Sequence, residues 1–152
     1  MAHLAEPRRY APWLWLLLFL FILRVLGQVL VVFWDADFLP PLEQWESGLL
    51  PYPLLLTSQV LIILLYAKAC LDFSRGRGYF VEPNRRFGKG VLLFGSLYLA
   101  AMVLRLVVVS WLYPGEPAKW KLIPIFLHWV LAAFLLLVAR YHLRASREQG
   151  TP

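Results

Sequence analysis

The sequence predicts an all-α fold: a polytopic four-helix transmembrane bundle, arranged as two tandem helical hairpins. Three observations predict it. Of the 152 residues, 61% are hydrophobic and only 16% charged, with a mean hydropathy of +0.64; a soluble domain is nearer half apolar and a quarter charged. Four stretches approach the roughly 20 apolar residues that a helix needs to cross a hydrocarbon core. The basic residues then collect on one side of those stretches. This composition excludes a disordered chain, a disulfide-stapled secreted module and an ordinary soluble enzyme.

The first span is expected over residues 12–34, apolar except for Arg24 and Gln28. Its flank of Arg8 and Arg9 fits a signal peptide, but the apolar run is longer than an h-region and no A-x-A-like site follows Trp34. It reads as an uncleaved first span. The second covers residues 53–71, with Thr57, Ser58 and Gln59 near its start. The third covers 91–111 and contains Ser96, Arg105 and Ser110. The fourth covers 122–139 and carries His128. Pro12, Pro53 and Pro124 are placed in first turns, where a missing N–H costs little. Lipid offers backbone groups no other partner, so all four spans are expected to be helical. One membrane domain accounts for residues 1–152.

Orientation follows from charge. Arg8 and Arg9, the stretch from Lys68 through Arg75, Arg77, Arg85 and Arg86 to Lys89, and the tail with Arg140, Arg144 and Arg147 hold eleven of the fifteen basic residues. The opposite loops hold Lys119 and Lys121. The positive-inside rule puts both termini in the cytoplasm, in the plasma (inner) membrane. The net charge of +6 is thereby explained without a nucleic-acid partner. Arg75, Arg77, Arg85 and Arg86 are either topogenic charge alone or also contacts for anionic lipid headgroups, at about 1 kcal/mol each. Gly76, Gly78, Pro83 and Asn84 mark turns in this connection, and it has no Walker spacing.

The first outer loop, residues 35–48, carries Asp35, Asp37, Glu43 and Glu46 and no basic residue. Leu42, Trp45 and Leu49 recur at helical spacing, which fits a short interfacial helix or a solvated loop with a Trp anchor. The lone cysteine, Cys70, excludes an intramolecular disulfide and a dithiol membrane enzyme; palmitoylation or an inert thiol remain. Ile22-Leu23-Arg24-Val25 resembles Val103-Leu104-Arg105-Leu106, and spans two and four both enter at a proline. These features fit a repeated hairpin about an axis along the membrane normal, or chance similarity between leucine-rich helices.

The costly residues are the candidates for function. Arg24 lies about 18 Å into its span from Pro12, where an arginine costs about 3 kcal/mol or more. It should face other helices. Gln28 follows one turn on, and Gly27 allows close approach. Arg105 is nearer its helix end and can snorkel. By depth, Arg24, Gln28, Ser58, Gln59, Arg105 and His128 are expected to form one polar cluster in the outer half of the bundle. Its neutralising partner is left open: carbonyls at prolines; Asp35, Glu43 or Glu46; an acidic ligand such as a lipid phosphate, a carboxylate or, more weakly, a quinone carbonyl; or a partner subunit's acid. No carboxylate pair, metal-ligand cluster or Ser-His-Asp set lies within the spans, so catalysis has little support.

His128 and His142 are fourteen residues apart and lie roughly on one helix face. The stretch Leu127-His128-Trp129-Val130-Leu131-Ala132 locally resembles helices of bacterial b-type cytochromes. The resemblance implies His128 as a haem ligand, but no second axial histidine lies in spans one to three. The whole chain is similar to small, uncharacterised bacterial four-span integral membrane proteins, a likeness that implies no activity. The expected function is that of a non-enzymatic small subunit or accessory factor. Its Arg24-centred face would bind a partner helix or an acidic lipid, in a complex or a homo-oligomer. The alternatives are a redox-linked subunit holding haem or quinone, and a small-solute carrier acting as an oligomer.

Overall fold

A computed structural model describes residues 6–34, 51–115 and 118–149, apart from the side chains of residues 34 and 118–124. The outer loop with Asp35, Asp37, Glu43 and Glu46, the side chains of Lys119 and Lys121, and His3 lie outside the described residues. Among those described, the chain is an all-α bundle of four long helices: α1 (Pro7–Trp34), α2 (Tyr52–Arg75), α3 (Arg85–Leu112) and α4 (Ala118–Gln149). A single 3₁₀ turn, Tyr79–Val81, lies between α2 and α3. Even the shortest helix, the 24-residue α2, is about 36 Å long and exceeds a hydrocarbon core of ~30 Å. All four are long and apolar enough to cross a membrane.

The helices overrun the expected spans, mostly at the arginine-rich end. α1 begins five residues early at Pro7, α2 continues to Arg75, α3 begins at Arg85, and α4 runs to Gln149. Apolarity marks where hydrocarbon would end, whereas capping marks where a helix ends. Gly76, in the left-handed region at φ 67°, closes α2, and its N–H turns back to the carbonyls of Asp72 and Phe73. The Asn84 side chain accepts from Phe87 N–H and opens α3. Two proline expectations are corrected as a result. Pro12 sits inside α1 and Pro124 inside α4, each removing one intrahelical bond. Of the three, only Pro53 occupies a first turn.

Packing follows heptad stripes. On α1, Ala11, Leu14, Leu18, Phe21, Val25 and Gln28 are all buried, at spacings of three and four that define a left-handed seam. α4 carries two such seams side by side. Leu127, Leu131, Phe134, Val138, Tyr141 and Ala145 join the core shared with α1 and α2. His128, Ala132, Leu135, Ala139, His142 and Ser146 form the second. Leu135, His142 and the neighbouring Leu136 and Leu143 lie against Gly95 and Gly88 of α3. Those two glycines, seven residues apart, are the only buried residues of α3. A Cβ on Gly88 would lie 2.8 Å from His142 Cβ, so this position tolerates only glycine at the observed separation.

The arrangement is therefore a three-helix core of α1, α2 and α4, with α3 laid against the far side of α4. Burial reports the same asymmetry: 50% of the apolar stretch of α4 is buried, against 6% of that of α3. The connectivity is two tandem hairpins. Their environments are not equivalent, because α1 packs on both α2 and α4 while α3 packs on α4 alone. A twofold-symmetric repeat would require an α2–α3 counterpart to the α1–α4 contact.

At the arginine-rich end, rings of Tyr10, Phe73 and Tyr141 from the three core helices meet edge to face, with centroids 4.8 to 6.4 Å apart. Tyr141 OH donates to the Val81 carbonyl at 2.6 Å and holds the connection down. Buried Asp72 accepts from Lys68 at 2.5 and 2.6 Å and from the Phe80 N–H at 3.4 Å. Gly78, at φ 124°, passes so close that a Cβ would strike the Asp72 carboxylate.

Candidate functional site

Two polar pairs lie at one level of the bundle, away from the 76–84 connection. On the first side, Gln28 of α1 and Gln59 of α2 are 1% and 4% exposed, and Gln59 Nε2 donates to Gln28 Oε1 at 3.1 Å. The heptad stripe directs Gln28 inward, and Gln59 begins the matching stripe of α2 that continues through Tyr66 and Phe73. Gln28 Nε2 and Gln59 Oε1 remain buried without a hydrogen-bond partner among the described residues. Such a half-used pair is costly, at about 1–3 kcal/mol for each unmade bond.

On the second side, Tyr98 of α3 and His128 of α4 join OH to Nδ1 at 2.5 Å, with the rings edge to face. Tyr98 lies on the inward stripe of α3, which runs Gly88, Val91, Gly95, Tyr98, Met102, Arg105 at heptad spacing; none of these six is exposed. Arg24 is 9% exposed, and its positive charge and that of Arg105 both reach His128 electrostatically. Trp129 Nε1, beside His128, is buried with no hydrogen-bond partner among the described residues.

Of the six expected cluster residues, Gln28 and Gln59 meet each other, His128 meets Tyr98, and Arg24 and Arg105 stand within electrostatic range of His128. Ser58 does not join them. Its hydroxyl donates to the Leu55 carbonyl of its own helix at 2.7 Å, because it is one residue off the buried stripe. Thr57 similarly donates to the Pro53 carbonyl. Tyr98 belongs to the site and was not singled out by its chemistry. Its spacing of three from Gly95 and seven from Arg105 was the available signal.

His128 and His142 do share one face, as their spacing implies, and that face is covered by α3. His142 is 1% exposed. Its Nδ1 accepts the Asn84 N–H at 3.3 Å, and the Phe87 ring stands on it edge to face. α4 remains packed on α3 at this position, three residues beyond the expected fourth span. A haem on this face would have to displace α3, whose backbone at Gly88 touches His142. Among the described residues no group of three metal-ligating side chains occurs.

Arg75, Arg77, Arg85 and Arg86 are all exposed, which suits contact with anionic headgroups. Arg8 Nη2 reaches the Arg75 carbonyl at 3.4 Å. A cleft of about 450 Å³ opens between the start of α1, the connection and the end of α4; Arg77, Glu82 and Glu148 give its rim both signs of charge. Cys70 is fully buried, so an acyltransferase cannot reach it and the palmitoylation reading is withdrawn. No family model, curated protein or solved structure matches the chain.

Proposed function

We propose that this chain is a multi-pass protein of the plasma membrane, non-enzymatic, acting as a small subunit or accessory factor. Its Arg24-centred polar face would hold an acidic group at membrane depth, on a partner helix or a lipid. Both termini would lie in the cytoplasm, with the exposed arginines of the 75–86 connection against anionic headgroups. Exposed aromatics support the membrane reading. Trp13 and Trp15 lie toward the arginine-rich end, and Trp111 and Tyr113 at the other, as expected for two interfacial belts.

The observation that carries the proposal is the burial of Arg24, at 9% exposure, within a helix long and apolar enough to cross a membrane. Intramembrane ions pair and are functional by default. Native mass spectrometry of the protein extracted gently from its own membrane tests this reading. Wild type is expected to carry additional mass, protein or lipid, that Arg24→Leu loses. Equal retention by both removes the proposal.

A further inference from the structure

Three elements meet at His142. It sits on α4 at 1% exposure. Gly88 of α3 packs against it, and the Phe87 ring stands on it edge to face, with centroids 4.9 Å apart. Its Nδ1 accepts the N–H of Asn84, the residue that ends the connection and caps α3, at 3.3 Å. That bond needs a lone pair on Nδ1. A neutral imidazole has one when its proton is on Nε2, whereas an imidazolium carries N–H on both nitrogens and has none. Protonation of the ring therefore sets two donors against each other where α3 is fastened to α4.

The surroundings give the charged form somewhere to turn. Nε2 makes no hydrogen bond of good geometry among the described residues, and the backbone of Phe80 and Glu82 is near enough to act on the ring. His142 lines a cavity of about 140 Å³ together with Tyr79, Glu82, Pro83, Asn84 and Phe87, which is roomy enough for water. Tyr79, Glu82 and Asn84 are exposed, so protons reach the ring from outside by this route. Glu82 is the acid that shares the cavity. The titratable neighbours besides it are Tyr79 of the connection and Tyr141 of α4, whose ring centroid is 5.3 Å away. Arg85 and Arg86 of α3 and Arg140 and Arg144 of α4 are exposed. On either side of this point the chain is anchored by other means. Tyr141 OH holds Val81, and Gly95 lies against Leu135 and Leu136.

We infer that His142 is a proton-operated latch on the start of α3: neutral, it fastens Asn84 to α4; protonated, it releases Asn84 and turns toward Glu82. The freed stretch runs from Glu82 to Gly88, between the anchors at Val81 and Gly95. The sign follows from the bond. The fastened state requires the neutral ring, so it holds at higher pH and opens as pH falls. A buried histidine between two packings is the element that pH sensors use.

The test uses full-length protein in lipid nanodiscs, with spin labels on Arg86→Cys and Arg144→Cys, both exposed positions on facing helices. Label separations are measured by pulsed electron paramagnetic resonance from about pH 8 to about pH 5, which brackets an ordinary imidazole at about 6.5. One separation is expected at the upper end, and a second, longer one is expected to replace most of it at the lower end. His142→Gln offers an amide oxygen to the Asn84 N–H and does not titrate, so it is expected to keep the single separation throughout. Glu82→Gln removes the acid that receives the charged ring and is expected to move the midpoint down by about half a pH unit or more. It leaves His142 in place and keeps the test open if His142→Gln fails to fold. A separation that is constant over the whole range overturns the inference. So does a pH response that survives unchanged in His142→Gln, or a midpoint that Glu82→Gln does not move.

Discussion

Gln28 and Gln59 show how much of the interior is set by single polar groups. Each stands in a stripe of apolar side chains, and the hydrogen bond between their amides joins α1 to α2. Interhelical hydrogen bonds of this kind contribute about 0.6 kcal/mol on average in membranes, and up to ~1.7. Gln28→Leu alone is expected to destabilise by about 1–2 kcal/mol, since it leaves the Gln59 amide buried and unmatched. The Gln28→Leu, Gln59→Leu double variant should recover most of that loss. A double-mutant cycle of unfolding in detergent reads the difference, and additive losses would show that the two amides do not interact. Tyr98→Phe removes the partner of His128 Nδ1. The ¹⁵N shifts of His128 are expected to change in tautomer balance while those of His142, held by the Asn84 backbone, stay fixed. The fully buried Cys70 is expected to resist maleimide in the folded protein and react once it is denatured.

At the scale of helices, α3 is attached by the absence of side chains. Gly88 and Gly95 let its backbone approach α4 at two points one heptad apart, opposite the seam that contains Ala132 and Ala139. This is small-residue packing, which serves where a hydrophobic driving force between helices is lacking. Gly95→Leu is expected to cost about 1–3 kcal/mol by overpacking and to reduce disulfide crosslinking of cysteines introduced at Tyr98 and His128. Gly90→Ala meets nothing within 4 Å and serves as the silent control. The existence of four helices was legible from apolar length alone. The helix ends were not, because Gly76 and Asn84 set them and hydropathy does not register capping. The depth argument put Gln28 beside Gln59 and misplaced Ser58, since depth along a helix says nothing of azimuth. The fourteen-residue spacing of the two histidines was legible as a shared face. The neighbour on that face, α3, was not.

At the scale of the whole molecule, the four helices divide into a core and an appendage. α4 is the element common to both, since each of its two seams serves a different neighbour. Sidedness is open to direct measurement: cysteines introduced at exposed Arg77 and exposed Trp111 are expected to label from opposite faces of sealed vesicles, Arg77→Cys from the cytoplasmic face. Labelling of both from one face would refute the four-span topology. The placement of α4 also bears on biosynthesis. In the membrane reading proposed above, α1 and α2 can pair through their glutamines as the chain emerges, whereas α3 would enter the bilayer before the surface it needs has been made. A nascent chain ending before residue 118 presents α3 as a solitary helix, with Gly88, Gly95 and Arg105 turned to lipid. Quality-control proteases that survey orphaned helices would then act on truncated chains, while the completed protein escapes them once α4 arrives.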